Sequence, residues 1–241
     1  WYENNGAADP TFTAADIATT ADFAHHLFVA DLDGDGDLDI VSASMNDDTI
    51  AWYENDGAAN PTFAAANIVT NADGANDVFL ADLDADGDMD ILSASENDDT
   101  IAWYENNGAT DPTFTKAVIA TSADAAADVF AADIDGDGDL DIVSASNADD
   151  TIAWYENDGA NDPNWTAVDI STNADSANGI SVADIDGDGD LDIVSSSYSD
   201  DTIAWYENHG AAGNHLLTVA DVTTVDESAA NATFTVSLSA A

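Results

Sequence analysis

The sequence predicts an all-β protein built as a β-propeller of four to five four-stranded blades. Two observations support this prediction. The tetrapeptide Trp-Tyr-Glu-Asn begins at Trp1, Trp52, Trp103, Trp154 and Trp205, so the chain repeats every 51 residues. Each repeat contains short apolar segments separated by Asp, Asn and Gly, and it has no long segment with helical periodicity. A period near 50 residues with short strands is typical of propeller blades.

Each repeat divides into four predicted strands, a to d. In the first complete repeat they cover residues 27–31, 38–44, 49–55 and 62–69. Side chains alternate along a strand, so Ile50 and Trp52 lie on one face of strand c and Ala51 and Tyr53 on the other. We expect the large aromatic side chains to supply most of the buried area and the small residues to let blades approach closely.

The strand count leaves one half-blade without a partner. The chain has four a–b units but five c–d units, at residues 1–20, 49–70, 100–121, 151–172 and 202–220. Either residues 1–20 close a ring with the last a–b unit, or residues 202–220 take that place and leave 1–20 as an open half-blade. We therefore predict a propeller over 1–220, with a half-blade and then four blades, followed by a β tail over 221–241.

The tail contains two predicted strands, residues 218–225 and 231–239. The second places Phe234, Val236 and Leu238 on one face, as expected of a strand that completes another sheet. If it completes the half-blade of its own chain, the product is a five-bladed monomer. If it completes a neighbour, head-to-tail strand exchange produces a homo-oligomer or filament.

The strongest chemical signal is an Asp-rich loop between strands a and b, which reads Asp-Leu-Asp-Gly-Asp-Gly-Asp-Leu-Asp from Asp31. Carboxylates at positions 1, 3, 5 and 9, a carbonyl at position 7 and Gly at position 6 are suited to Ca²⁺. An EF-hand needs Glu at position 12, where these loops have Ser, and its flanks are helical. We therefore predict about four bound Ca²⁺ ions. The candidate ligands are Asp31, Asp33, Asp35, Asp37, Asp39, Asp82, Asp84, Asp86, Asp88, Asp90, Asp133, Asp135, Asp137, Asp139, Asp141, Asp184, Asp186, Asp188, Asp190 and Asp192.

These loops and their flanking strands resemble the FG-GAP/VCBS-type repeats that also occur in integrin α-chain propellers. The resemblance covers residues 1 to about 210 and implies a calcium site in each loop, with Asp37 and its counterparts contributing their carbonyls. Ala85 departs from the pattern at position 4, where the family has Gly but no ligand. Such propellers usually have about seven blades. The start of the tail resembles a Calx-β domain, which would make it the stub of a following module.

Composition restricts the partners. The 241 residues include 50 Asp+Glu and one Lys+Arg, for a formal net charge of −49. Nucleic acid and anionic membranes both require clustered Lys and Arg, so neither is an expected partner. There is no cysteine, and His25, His26, His209 and His215 show no metal or triad spacing, so we predict that the protein is not an enzyme. We interpret the Glu that follows each Trp-Tyr as a structural position.

We expect an extracellular, non-catalytic, calcium-binding structural or adhesive unit that self-associates through its incomplete terminal blades. Weak calcium sites fill outside the cell, where free calcium is high. The alternative is a carbohydrate-binding, lectin-like module with a glycan or surface partner, although the strand c aromatics are better suited to a blade core. Because the chain starts at Trp1 within a repeated motif, we also expect a fragment or a processed product.

Overall fold

The computed structural model describes residues 1–210 and 218–220, and the regular structure within them is entirely β. No helix in this part of the chain could cross a membrane. The strands are β1 (Tyr2–Asn4), β2 (Phe12–Ala14), β3 (Ala24–Ala30), β4 (Asp39–Ser44), β5 (Thr49–Asn55), β6 (Phe63–Val69), β7 (Ala75–Ala81), β8 (Asp90–Ser95), β9 (Thr100–Asn106), β10 (Phe114–Ala120), β11 (Ala126–Ala132), β12 (Asp141–Ser146), β13 (Thr151–Asn157), β14 (Trp165–Ser171), β15 (Ala177–Ala183), β16 (Asp192–Ser197), β17 (Thr202–Glu207) and β18 (Thr218–Ala220).

The strands form four antiparallel sheets of four strands, and each sheet follows chain order. Sheet 1 is β3–β6, sheet 2 is β7–β10, sheet 3 is β11–β14 and sheet 4 is β15–β18. The prediction of four-stranded antiparallel repeats is confirmed. Strand c of sheet 1 has the predicted bounds, whereas strand a starts earlier, at Ala24, because a bulge between Ala24 and His26 lets the pairing with β4 continue.

The surplus half-blade stands apart from the four sheets. β1 pairs with β2 alone, with Glu3 opposite Thr13, and the two strands form a separate two-stranded sheet. Sheet 4 takes its outer strands from residues 202–220, since Glu207 pairs with Thr218. Of the two alternatives above, the structure adopts the one in which residues 1–20 do not complete the last sheet. The predicted tail over 221–241 lies outside the described residues.

The hydrophobic core lies between successive sheets. Ile50 and Trp52 of sheet 1 pack with Val78, Leu80 and Tyr104 of sheet 2, and equivalent clusters join sheets 2 and 3 and sheets 3 and 4. We call the surface that each sheet turns toward the next sheet its forward face, and the opposite surface its backward face. The Trp and Tyr side chains of strand c are buried in sheets 1 to 3, which confirms the prediction that they form core.

The ends of the stack are open. Leu27 on the backward face of sheet 1 is 59% exposed, and Ile203 on the forward face of sheet 4 is 64% exposed. The two faces therefore do not cover each other, and the four sheets do not close a ring.

Titratable side chains link the first, inner strands of sheets 1 to 4, which are β3, β7, β11 and β15. The imidazole of His26 contacts the Asp77 carboxylate, and Oδ2 of Asp77 accepts the Val129 N–H at 2.9 Å. Asp128 occupies the same place one repeat later, and its Oδ2 accepts the Ile180 N–H at 2.7 Å. Each acid on an inner strand thus holds the backbone of the following sheet.

Burial and the hydrogen bonds among His26, Asp77 and Asp128 determine which of these groups is protonated. Burial, followed by its hydrogen bond with Asp77, raises the pKa of Asp128 to about 8. Burial also acts to raise the pKa of Asp77, but hydrogen bonds from His26 and Asp128 outweigh it and lower that pKa. The hydrogen bond to Asp77 is the main cause of the raised pKa of His26. At neutral pH Asp128 therefore carries the proton between the two acids and Asp77 is ionised.

We predict that Asp128→Asn changes the pH profile of stability. The pKa of Asp128 is about 8 in the folded state and about 3.9 in the unfolded state. Between these two pH values the folded parent holds this proton and the unfolded parent does not. Its contribution to stability is complete below about pH 4 and falls as pH rises to about 8. An Asn amide donates to Asp77 at every pH. Between pH 5 and 8 the free energy of unfolding of the variant should therefore rise relative to that of the parent, by at most about 1.4 kcal/mol per pH unit.

Thermal unfolding followed by circular dichroism from pH 5 to 9 measures this gain. The control is Asp169→Asn, which removes an exposed carboxylate on the outer strand of sheet 3 and should run parallel to the parent. If the Asp128→Asn profile also runs parallel, the assignment of the buried proton is wrong.

Candidate metal centres

Four Asp-rich loops connect the first two strands of the four sheets, as predicted. In each loop the carboxylates at positions 1, 3 and 5 bring one oxygen apiece within 4.8 Å of one another. We call each group an Asp triad. The triads are Asp31, Asp33 and Asp35; Asp82, Asp84 and Asp86; Asp133, Asp135 and Asp137; and Asp184, Asp186 and Asp188.

The backbone of each loop holds its own acids in place. In the first loop, Oδ2 of Asp31 accepts the Gly36 N–H at 3.0 Å, and Oδ1 of Asp33 accepts the Asp35 N–H at 3.1 Å. Gly36 has a φ of 96°, a conformation that favours glycine. At position 4 of the second loop Ala85 keeps a φ of 60°, so the substitution leaves the turn intact.

The position 7 side chain lies outside the triad and against the turn that follows strand c. A Cβ atom on Gly57 would collide with the Asp37 carboxylate. The same close approach occurs in the other repeats, between Asp88 and Gly108, Asp139 and Gly159, and Asp190 and Gly210. The carboxylate at position 7 therefore lies against this turn and not in the triad, and a role for its carbonyl stays a prediction.

The position 9 aspartate is buried and also lies outside the triad. Asp90 accepts the Leu83 N–H at 3.1 Å through Oδ2 and the Asn106 N–H at 2.8 Å through Oδ1. Asp39, Asp141 and Asp192 accept the two equivalent N–H groups of their own sheets. This residue therefore joins the start of the loop to the end of strand c, a role that was not predicted from the sequence.

Burial and mutual repulsion disfavour charge on the acids at position 3 and on several at position 9. At position 3, desolvation and then the charges of neighbouring aspartates raise the pKa of Asp33. Desolvation raises the pKa of Asp90 to about 7 and that of Asp141 to about 6. A bound cation would offset both effects, because an opposite charge nearby favours the ionised carboxylate.

The donors present fit a hard cation such as Ca²⁺. Each triad supplies only carboxylate oxygens, which Ca²⁺ prefers. In the first loop Oδ1 of Asp31 is buried and has no hydrogen-bond partner. A buried acceptor of this kind needs a ligand to compensate its lost hydration. The triads could therefore hold metal ions.

Two further sets of residues belong to the site, and neither was predicted from the sequence. Glu105 and Glu156 on strand c add to the charge that raises the pKa of Asp84 and Asp135. Each lies 21 residues after position 3, and this fixed offset was visible in the sequence.

The second set ties each loop to the next sheet. Nδ2 of Asn106 donates to the Met89 carbonyl of its own sheet at 3.0 Å and to the Leu32 carbonyl of sheet 1 at 2.9 Å. Asn157 and Asn208 repeat the bond to the preceding loop at 3.1 and 2.7 Å. Each of the first three loops is thus fixed from two sheets.

The repeats of this chain match a known family model. The model of the FG-GAP-like repeat matches residues 1–42, 31–93, 82–144 and 133–195, and three of these segments start at the first aspartate of a loop. Curated proteins gave no significant sequence match. Among solved structures, the crystal structure of the V. cholerae biofilm matrix protein Bap1 aligns with 20% identity and a TM-score of 0.36. That alignment covers 77% of this chain and 38% of the Bap1 chain.

We predict that Gly108→Ala destabilises the protein through two separable effects. Gly108 has a φ of 64°, which costs alanine about 1–2 kcal/mol. The new Cβ would also collide with the Asp88 carboxylate, which must rotate away at a further cost of about 0.5–1.5 kcal/mol. In an Asp88→Ala background only the first cost should remain. Urea unfolding of the parent, both single variants and the double variant gives the coupling energy. Equal costs of Gly108→Ala in the two backgrounds would show that the Asp88 carboxylate does not lie against this turn.

Proposed function

This chain belongs to the FG-GAP-like repeat family, and we propose that it is a non-catalytic, calcium-binding β-propeller module with an extracellular structural or adhesive role. The observation that carries the proposal is the Asp triad, which recurs with the same geometry in all four sheets. A structural ion that stabilises the contact between successive repeats is needed in each repeat. An active site would require one repeat to differ in its chemistry.

Calcium suits these loops better than magnesium. Ca²⁺ accepts six to eight oxygen ligands in flexible geometry, whereas Mg²⁺ demands a near-ideal octahedron and retains several waters. Three triad carboxylates, the position 7 carbonyl, water and the nearby Glu of strand c would together supply enough oxygens.

Calcium would stabilise the contacts between sheets as well as the loops. The Leu32 carbonyl that Asn106 binds lies inside the first loop, next to Asp31 and Asp33. Occupancy of that loop therefore orders an acceptor that sheet 2 uses. At tenfold saturation each site adds about 1.4 kcal/mol, or roughly 5–6 kcal/mol over four sites.

The proposed location follows from affinity. Sites in extracellular modules typically have dissociation constants of about 10⁻⁴–10⁻³ M, and such sites fill only where free calcium is high. In sheets 1 to 3 the burial of the strand c Trp and Tyr makes these aromatics unavailable for stacking on a sugar, which argues against the lectin-like alternative.

The open ends of the stack favour self-association. The unpaired hairpin β1–β2 offers free strand edges, and exchange of terminal strands between copies would complete it. Four sheets that do not close by themselves would then contribute to a larger ring or filament.

We predict that calcium raises the melting temperature and that excess EDTA lowers it, with magnesium giving a much smaller effect. Calorimetric titration should find about four sites in the parent. Asp84→Asn removes one triad carboxylate and should leave about three sites of the parent affinity.

The matched control is again Asp169→Asn, which changes the charge equally but lies outside the loops and should keep all four sites. Unchanged melting in EDTA, or equal stoichiometry in Asp84→Asn and the parent, would overturn the calcium proposal.

A further inference from the structure

We infer that the forward face of sheet 4 in one copy packs against the backward face of sheet 1 in a second copy, repeating the interface that joins the sheets within the chain. This inference rests on the proposed structural role and names the surfaces that carry it. The test of this inference measures particle mass. The inference can therefore fail even if calcium binds, and calcium binding can fail even if two copies associate.

The backward face of sheet 1 has the composition of an internal interface. Leu27 is 59% exposed, whereas Val78, the equivalent residue of sheet 2, is 0% exposed beneath sheet 1. Val29 is likewise exposed, and its equivalent Leu80 is buried in the cluster between sheets 1 and 2. These side chains are apolar and point away from sheet 2. They lie on the face that a preceding sheet would cover.

The forward face of sheet 4 is the complementary surface. Ile203 is 64% exposed, whereas Ile152 at the same position of sheet 3 is 0% exposed. Ile185 is also exposed, and its equivalent Ile134 is buried between sheets 3 and 4. Trp205 is only half-buried, although Trp154 is buried.

The three internal interfaces identify the occupant. In each of them the forward face of one repeat is covered by the backward face of the next, with isoleucine and tryptophan packed on small and branched side chains. A second copy of this chain presents that same backward face through Leu27 and Val29. The contact is heterologous, because the two surfaces differ, so it extends head-to-tail into a ring or a filament.

The contact between copies should be weaker than the contacts within the chain. At the inner strand of sheet 4, Gly179 replaces the hydrogen-bonding Asp128 and Ser181 replaces the aromatic Phe130. Phe130 packs on Phe79 with ring centroids 4.7 Å apart, and no equivalent pair can form across the copies. A formal charge of −49 on each copy adds repulsion that salt and bound cations reduce. We therefore expect reversible association.

The hairpin β1–β2 does not occupy this face in the structure. Its strands are exposed, and Leu27 and Val29 are exposed as well. Strand exchange through the hairpin and packing of the end faces are consequently different modes of assembly, and substitutions on the faces distinguish them.

The test uses three substitutions to aspartate in the full chain. Val29→Asp blocks the backward face, and Ile203→Asp blocks the forward face. Val118→Asp is the control, since Val118 is 52% exposed on β10 and its equivalent in sheet 3 is already Asp169. All three side chains are exposed in the isolated chain, so circular dichroism and melting should match the parent.

Sedimentation velocity in calcium and 0.15 M salt should show that the parent and Val118→Asp form dimers or larger species. Val29→Asp and Ile203→Asp should each associate at least about tenfold more weakly, which corresponds to 1.4 kcal/mol. An equimolar mixture of these two variants retains one intact pair of faces and should form dimers that contain one copy of each.

Three results would overturn the inference. The parent could stay monomeric up to about 1 mM, a concentration at which even weak complexes form. The two face variants could assemble like the parent, which would favour strand exchange or another surface. The mixture could fail to form mixed dimers, which would exclude a head-to-tail contact.

Discussion

In every sheet, the last aspartate of the Asp loop accepts one backbone N–H from the start of the loop and another from the end of strand c. In sheet 2 these donors are Leu83 and Asn106, and Asp90 is buried between them. Loss of that carboxylate would leave two buried donors without partners, at about 1–3 kcal/mol each. Because Asn106 also reaches the loop of sheet 1, the same carboxylate positions the link between two sheets.

This arrangement places the candidate metal loops and the contacts between repeats in one network. The triad, the position 9 carboxylate and the asparagine that follows strand c lie within one loop and its immediate contacts. A cation in the loop would lower the pKa of acids such as Asp90, which burial raises to about 7. It would also order the carbonyl that the next sheet binds. Stability in a repeat protein is the sum of repeat and interface terms, and here a single ion would contribute to both.

Features that recur with the period of 51 residues could be predicted from the sequence, including the strands, the Asp loops and the buried face of Ile50 and Trp52. The chain His26–Asp77–Asp128 could not, because the residue type changes between repeats and only the spacing is constant. The role of position 9 could not be predicted, because an aspartate there is equally suited to be a metal ligand or a buried hydrogen-bond acceptor. Ring closure depends on the angle between sheets, which no residue count determines.

Sheets 1 and 4 each have one face that no other described sheet covers. A repeat that caps a stack against solvent usually has a polar outer face. Sheet 4 follows this rule at its inner strand, where Gly179 and Ser181 replace the side chains that hold the next sheet. It does not follow the rule at Ile185 and Ile203, which keep the apolar character of the internal interface while exposed. Sheet 4 therefore lacks the hydrogen-bonding and aromatic side chains of the internal interfaces but keeps their apolar side chains, a combination that would allow reversible binding of a complementary face.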